Sequence, residues 1–175
     1  VAFTPAVSDS GPYVATVSDS KGCSNSTTVS LTVHPLPAAP TIAANGPICA
    51  GNTATFTISG APASLVSYTI NGGAAAIATI GAGGTAVVSV TNALVNQTIQ
   101  LSQIQSAGTG CVTSLSNSAT VTVNSLPVAA TVANNGPICS GNTAVFTISG
   151  TATDVVTYTI NGGTATTATI GAGGT

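Results

Sequence analysis

At an offset of 90 positions the chain returns to itself. Asn45-Gly46-Pro47-Ile48-Cys49-Ala50-Gly51-Asn52-Thr53 reappears as Asn135-Gly136-Pro137-Ile138-Cys139-Ser140-Gly141-Asn142-Thr143. Tyr68–Gly73 returns as Tyr158–Gly163, and Gly81–Thr85 as Gly171–Thr175. Between 36–85 and 126–175, 35 of 50 residues are identical. Solenoid units repeat every ~20–45 residues, so a period this long matches a whole small β domain instead. The 175 residues are expected to be a string of such domains.

Inside the complete repeat, 38–127, the apolar residues alternate with Thr and Ser, the period-2 signature of half-buried strands. Strands are expected at 40–44, 53–59, 66–70, 76–80, 85–91, 97–104 and 118–124. Their shared phase assigns Phe56, Ile58, Val66, Tyr68, Ile70, Val88, Val90, Ile99, Leu101, Val121 and Val123 to the core. Asn71-Gly72 is a strong hairpin signal because both residues tolerate positive φ. Short strands broken by turns every ~8–12 residues predict an all-β fold, a tandem array of immunoglobulin-like β-sandwiches.

On that frame, residues 1–37 are the C-terminal half (strands E–G) of one domain, with Val1-Ala2-Phe3-Thr4 as strand E. Residues 38–127 are a complete repeat, and 128–175 are the N-terminal half (strands A–D) of the next. His34-Pro35-Leu36-Pro37 and Asn124-Ser125-Leu126-Pro127 mark the junctions, where proline ends sheet pairing and stiffens the hinge. A half-sandwich exposes an apolar face and unpaired backbone groups. The tail of one copy is therefore expected to complete the head of the next, a heterologous contact that propagates as a filament. The junction is either strand complementation between chains or, the version favoured, one continuous giant protein.

Composition narrows the chemistry. Only Asp9, Asp19, Lys21 and Asp154 are charged, 2% of the chain where a soluble domain carries ~25%. Nothing basic is present to hold nucleic acid or anionic lipid. With scattered carboxylates and no Glu, paired-carboxylate catalysis and oxygen-rich calcium cages lack their donors. His34 is the single histidine, so neither a His-based metal site nor a Ser–His–Asp triad is expected. No enzyme, cofactor or metal is anticipated. No apolar run reaches the ~20 residues of a spanning helix, and no signal-peptide pattern opens the chain. Low charge leaves little repulsion between copies and no lysines to blunt strand edges, which predicts self-association.

Asp9-Ser10-Gly11-Pro12-Tyr13 resembles the D-x-G-x-Y signature that opens strand F of immunoglobulin-like domains. The run Tyr13-Val14-Ala15-Thr16-Val17-Ser18-Asp19-Ser20-Lys21-Gly22-Cys23 is similar to the ending of bacterial Ig-like and PKD-like repeats. Those repeats are strung together in giant secreted surface proteins, including gliding-motility adhesins and extracellular fibres. The resemblance implies a tyrosine corner at Tyr13. It also implies a bacterial cell-surface or extracellular setting and a role as stalk or adhesive surface. Ala15 stands where the family's core cysteine would be, so the B–F disulfide of antibody domains is absent.

Cysteine usage fits an oxidising compartment. Each repeat has one Cys before its second strand (Cys49, Cys139) and one near its last hairpin (Cys23, Cys111). The default expectation is an intradomain Cys49–Cys111 bridge, adding roughly 4 kcal/mol in the chain-entropy model. Cys23 and Cys139 would then find partners beyond this sequence or in a neighbouring copy. Against the bridge, plain Ig topology puts those two positions at opposite ends of the domain, beyond the ~7 Å Cα limit. A bridge between adjacent domains, or free thiols, stays open. Gly81–Thr85 lacks the Lys-Ser/Thr ending of a phosphate loop and reads as a β-turn. Asn25-Ser26-Thr27 and Asn96-Gln97-Thr98 fit the glycosylation pattern, as chance allows in an Asn- and Thr-rich chain. The functional expectation is a structural module of an extracellular filament or adhesin stalk that associates with itself. The alternative is a surface of Thr, Ser and Asn that binds glycans or ice.

Overall fold

The computed structural model describes residues 2–175, which are all-β with no α-helix among them. The chain divides into two compact units, one ending at Asn124 and the other spanning Ser125–Thr175.

The first unit opens with an antiparallel hairpin of β1 (Gly11–Ser18) and β2 (Ser24–Leu31), in which Gly11 lies opposite Leu31 and Ser18 opposite Ser24. Its tip explains the Asp-x-x-Gly-Cys run. Asp19 Oδ1 accepts hydrogen bonds from the backbone N–H of Lys21 (2.8 Å) and Cys23 (2.9 Å). Gly22 takes φ +85°, a conformation costly for residues with a Cβ. The expected strand E is corrected here. Val1 lies outside the described residues, Ala2–Ala6 form no strand, and a 3-10 turn at Val7–Asp9 leads into β1. The physical reason is visible in the complete repeat, where the residues 90 positions later, 92–96, are the turn between β8 and β9 and form no strand either.

The complete repeat contributes β3 (Thr41–Ala44), β4 (Ile48–Cys49), β5 (Ala54–Ser59), β6 (Leu65–Ile70) and β7 (Ala76–Thr79). It continues with β8 (Thr85–Val90), β9 (Gln97–Gln105), β10 (Val112–Ser114), β11 (Ser118–Val121) and β12 (Val123–Asn124). One sheet runs β3-β5-β8; the other runs β10-β9-β6-β7, with β11 also on β9. A short parallel ladder ties β12 to β4, Val123 opposite Ile48 and Asn124 opposite Cys49.

The two sheets share one core. Strict alternation in β5 turns Ala54, Phe56 and Ile58 inward, and Val66, Val88, Ile99, Leu101, Ile104 and Val121 join them from the other strands. Tyr68, Ile70, Val90 and Val123 pack against this cluster while partly exposed. Each fully buried large side chain contributes ~1.5–3 kcal/mol by leaving water. The turn after β6 carries Asn71 at φ +50° and Gly72 at φ +70°, closed by Gly73 N–H donating to Ile70 O at 2.9 Å. Asn71 also reaches across to β9: its Oδ1 accepts from Thr98 N–H (2.8 Å) and its Nδ2 donates to buried Gln97 (2.9 Å).

The second unit consists of β13 (Thr131–Asn134), β14 (Phe146–Ser149), β15 (Val155–Tyr158) and β16 (Thr166–Thr169). Its registers copy those of the first. Val132 faces Ile148 as Ile42 faces Ile58, and Val156 faces Ala168 as Val66 faces Ala78. Asn161 and Gly162 repeat the left-handed turn at φ +51° and +70°. The shared sequence thus forms the same two hairpins twice.

An open half-core as the candidate assembly face

What differs between the two copies is what covers them. In the complete repeat β8 pairs with β5 and β9 pairs with β6, and their apolar side chains close over the hairpins. In the second unit β14 and β15 have no such partners among the described residues. Phe146 is consequently 56% exposed, whereas Phe56 at the equivalent position is fully buried. Val132 and Ile160 are exposed as well.

These side chains frame an apolar groove of about 630 Å³, lined among others by Val132, Phe146, Ile148, Val156, Tyr158 and Ile170. Shifted by 90 positions, they are Ile42, Phe56, Ile58, Val66, Tyr68 and Ile80, all members or direct neighbours of the core cluster. The groove is therefore the uncovered counterpart of the side chains that β8 and β9 close over in the first unit. A second difference between the copies is local. Ile138-Cys139 forms no strand, although Ile48-Cys49 does, because β4 exists only through its ladder with β12.

The loop that carries the repeated Gly-Pro-Ile-Cys run is held by one side chain in each copy. Asn45 Nδ2 donates to Thr53 O and Asn45 Oδ1 accepts from Thr55 N–H, both at 3.1 Å. Asn135 makes the same pair with Thr143 and Val145, also at 3.1 Å. This latch explains why Asn opens the motif, a role that spacing alone did not reveal. Asn45→Ala is expected to lower stability of the first unit by about 1–2 kcal/mol, and Asn45→Asp, which keeps the acceptor, by about half that. Urea unfolding measures both.

Tyr13 Oη donates to Asp9 O at 2.8 Å, the backward hydrogen bond that a tyrosine corner makes, and its ring lies 6.1 Å from that of Phe3. Asp9 Oδ2 accepts from Ala6 N–H at 2.7 Å, and Ser10 Oγ accepts from Val33 N–H at 2.9 Å. Asp9 and Asp19 are thus spent on backbone turns, and no three of His, Cys, Asp and Glu cluster among the described residues.

The cysteine expectation is corrected. All four cysteines are free, and Cys49 and Cys111 lie at opposite ends of the repeat. Cys111 precedes Val112, which pairs with Gln105, whereas Cys49 pairs with Asn124, beyond the point where Val121 meets Gln97. The length of β9 separates them by at least about 25 Å. No intradomain bridge can span that without unfolding the sheet.

Hydroxyl side chains do line up across the β3-β5-β8 sheet, where Thr41, Ser59 and Thr85 share one row and Thr55 faces Ser89. On the outer face of the β3-β5-β8 sheet, Thr57 has Ala43 on one side and exposed Val87 on the other. Asn96 Oδ1 accepts from Val123 N–H at 2.8 Å, so that side chain is engaged in the fold. No family model and no curated protein matches the chain.

Proposed function

We propose that the protein is a structural module of an extracellular filament or cell-surface stalk, built from tandem immunoglobulin-like domains of the bacterial Ig-like and PKD-like kind. The observation that carries this reading is the exposed groove of residues 125–175, whose side chains are those that a second half-repeat buries in 38–124. Its occupant is the second half of a repeat, and β1 and β2 are the chain's own counterparts of β9 and β11 from such a half. The strand order supports the Ig-like assignment: β3-β5-β8 stands for A-B-E, and β7-β6-β9-β10 for C′-C-F-G. The Tyr13–Asp9 bond supports it at the start of strand F. Domains of this kind act by being stiff, closed and repeated, and the carboxylates of Asp9 and Asp19 hold backbone turns here.

Amide hydrogen exchange tests the reading. In dilute chain the free edge of β15 should exchange quickly, and at concentrations where copies associate it should slow to the rate of β6. Association that leaves β15 exchanging as before would overturn it.

A further inference from the structure

The four free cysteines acquire a purpose when the junction at His34 is compared with the one at Asn124. Residues 30–37 and 120–127 correspond at the 90-residue offset, both ending in Leu-Pro, so His34 occupies the place of Asn124. In the complete repeat Asn124 is the residue opposite Cys49, and Ala50 N–H donates to Asn124 O at 2.8 Å. By the same register, the β4 cysteine of a repeat that ends at His34 would fall opposite that residue, at the ~4.8 Å spacing of paired strands. On the other side of the same junction, Cys111 Sγ lies 4.0 Å from His34 O, and Thr113 Oγ1 donates to Pro37 O at 2.8 Å. In a tandem array both sulfurs would meet at the backbone of one residue, from two successive repeats. Ile48 packs on the core and turns Cys49 outward, leaving its sulfur accessible.

We propose that each β4 cysteine forms a disulfide with the cysteine at the β9–β10 turn of the repeat that follows, fastening every junction covalently. The inference rests on the tandem reading above. In a tandem array it pairs Cys111 with the β4 cysteine of the repeat before it, and Cys49 with the turn cysteine of the repeat after it. Every cysteine then has one partner and none lies in its own repeat. The oxidant is a small-molecule disulfide such as oxidised glutathione. One cysteine, having lost its proton to solvent, attacks a sulfur of that disulfide and displaces a first thiolate, leaving a mixed disulfide. The second cysteine, also deprotonated, attacks the protein sulfur and displaces the second thiolate. The protein S–S bond forms, the reagent's S–S bond breaks, and two electrons pass to the reagent as two thiols.

The test maps the disulfides of the native protein by mass spectrometry of unreduced peptides, and again after reduction and exposure to oxidised glutathione. Cys111 should be linked to a Gly-Pro-Ile-Cys cysteine other than Cys49, and Cys49 to a turn cysteine other than Cys111. A Cys49–Cys111 link would overturn the proposal. Free thiols at both positions with the β15 amides protected would overturn it while leaving the half-repeat reading intact. Free thiols with those amides unprotected would overturn both.

Discussion

Phe56→Ala is expected to cost the first unit about 3–5 kcal/mol, because the side chain is wholly enclosed and its removal leaves a cavity. Phe146→Ala, the same change 90 positions later, should cost less than about 1 kcal/mol in dilute chain, since that ring already stands in solvent. The contrast comes from packing alone: the two rings occupy corresponding positions on β5 and β14. When copies associate, the cost at Phe146 should rise toward the Phe56 value, paid as weakened association. Urea titrations at low and high protein concentration separate the two situations. Equal destabilisation at both positions in dilute chain would mean that the second unit already has a closed core.

The second large effect concerns association itself. Ile148 lines the groove, and its counterpart Ile58 is completely buried, so Ile148→Asp places a carboxylate where the covered state has no water and no partner. Burying an unpaired charge costs several kcal/mol, which weakens association by more than about 100-fold. Thr147→Asp, one residue away and on the opposite face of β14, should leave association within a few-fold of the parent. Sedimentation velocity over a concentration series distinguishes them. If both variants associate like the parent, copies meet through some surface other than the groove.

The strands of the complete repeat were legible because their alternation is clean: Ala54, Phe56 and Ile58 against Thr55, Thr57 and Ser59 leaves one choice of inward face. Asn71-Gly72 announced its turn for an equally local reason, the need for positive φ at two successive positions. Non-local pairing was harder to read. β4 is two residues long and exists through a parallel partner some 75 positions away, from Ile48 to Val123, which no local pattern signals. Ile104 escaped the core list because a register shift opposite Ser67 and Tyr68 breaks the alternation of β9. The expected strand at the start of the chain failed for a simpler reason: Ala2–Ala6 correspond to 92–96, the turn after β8, which is not strand in the complete repeat either.

The site followed the same division. Residues 128–175 match the first part of the repeat in sequence, and in the structure their counterparts of the first unit's core side chains line an exposed groove. The cysteines could not be placed by spacing, because 62 positions in sequence say nothing about which end of a sheet each occupies. Register supplied that, through Val112 opposite Gln105 and Asn124 opposite Cys49. Asn45 and Asn135 belong to the same class: their latches depend on loop geometry eight to ten residues away.

Image reconstruction of the native assembly, at a resolution that shows side chains, tests the central claim most directly. The account predicts a line of closed two-sheet domains, one per 90-residue period, with Phe146 buried beneath a β8–β9 segment as Phe56 is. A native assembly in which the Phe146 groove stays open to solvent, or holds anything other than the second half of a repeat, would contradict it.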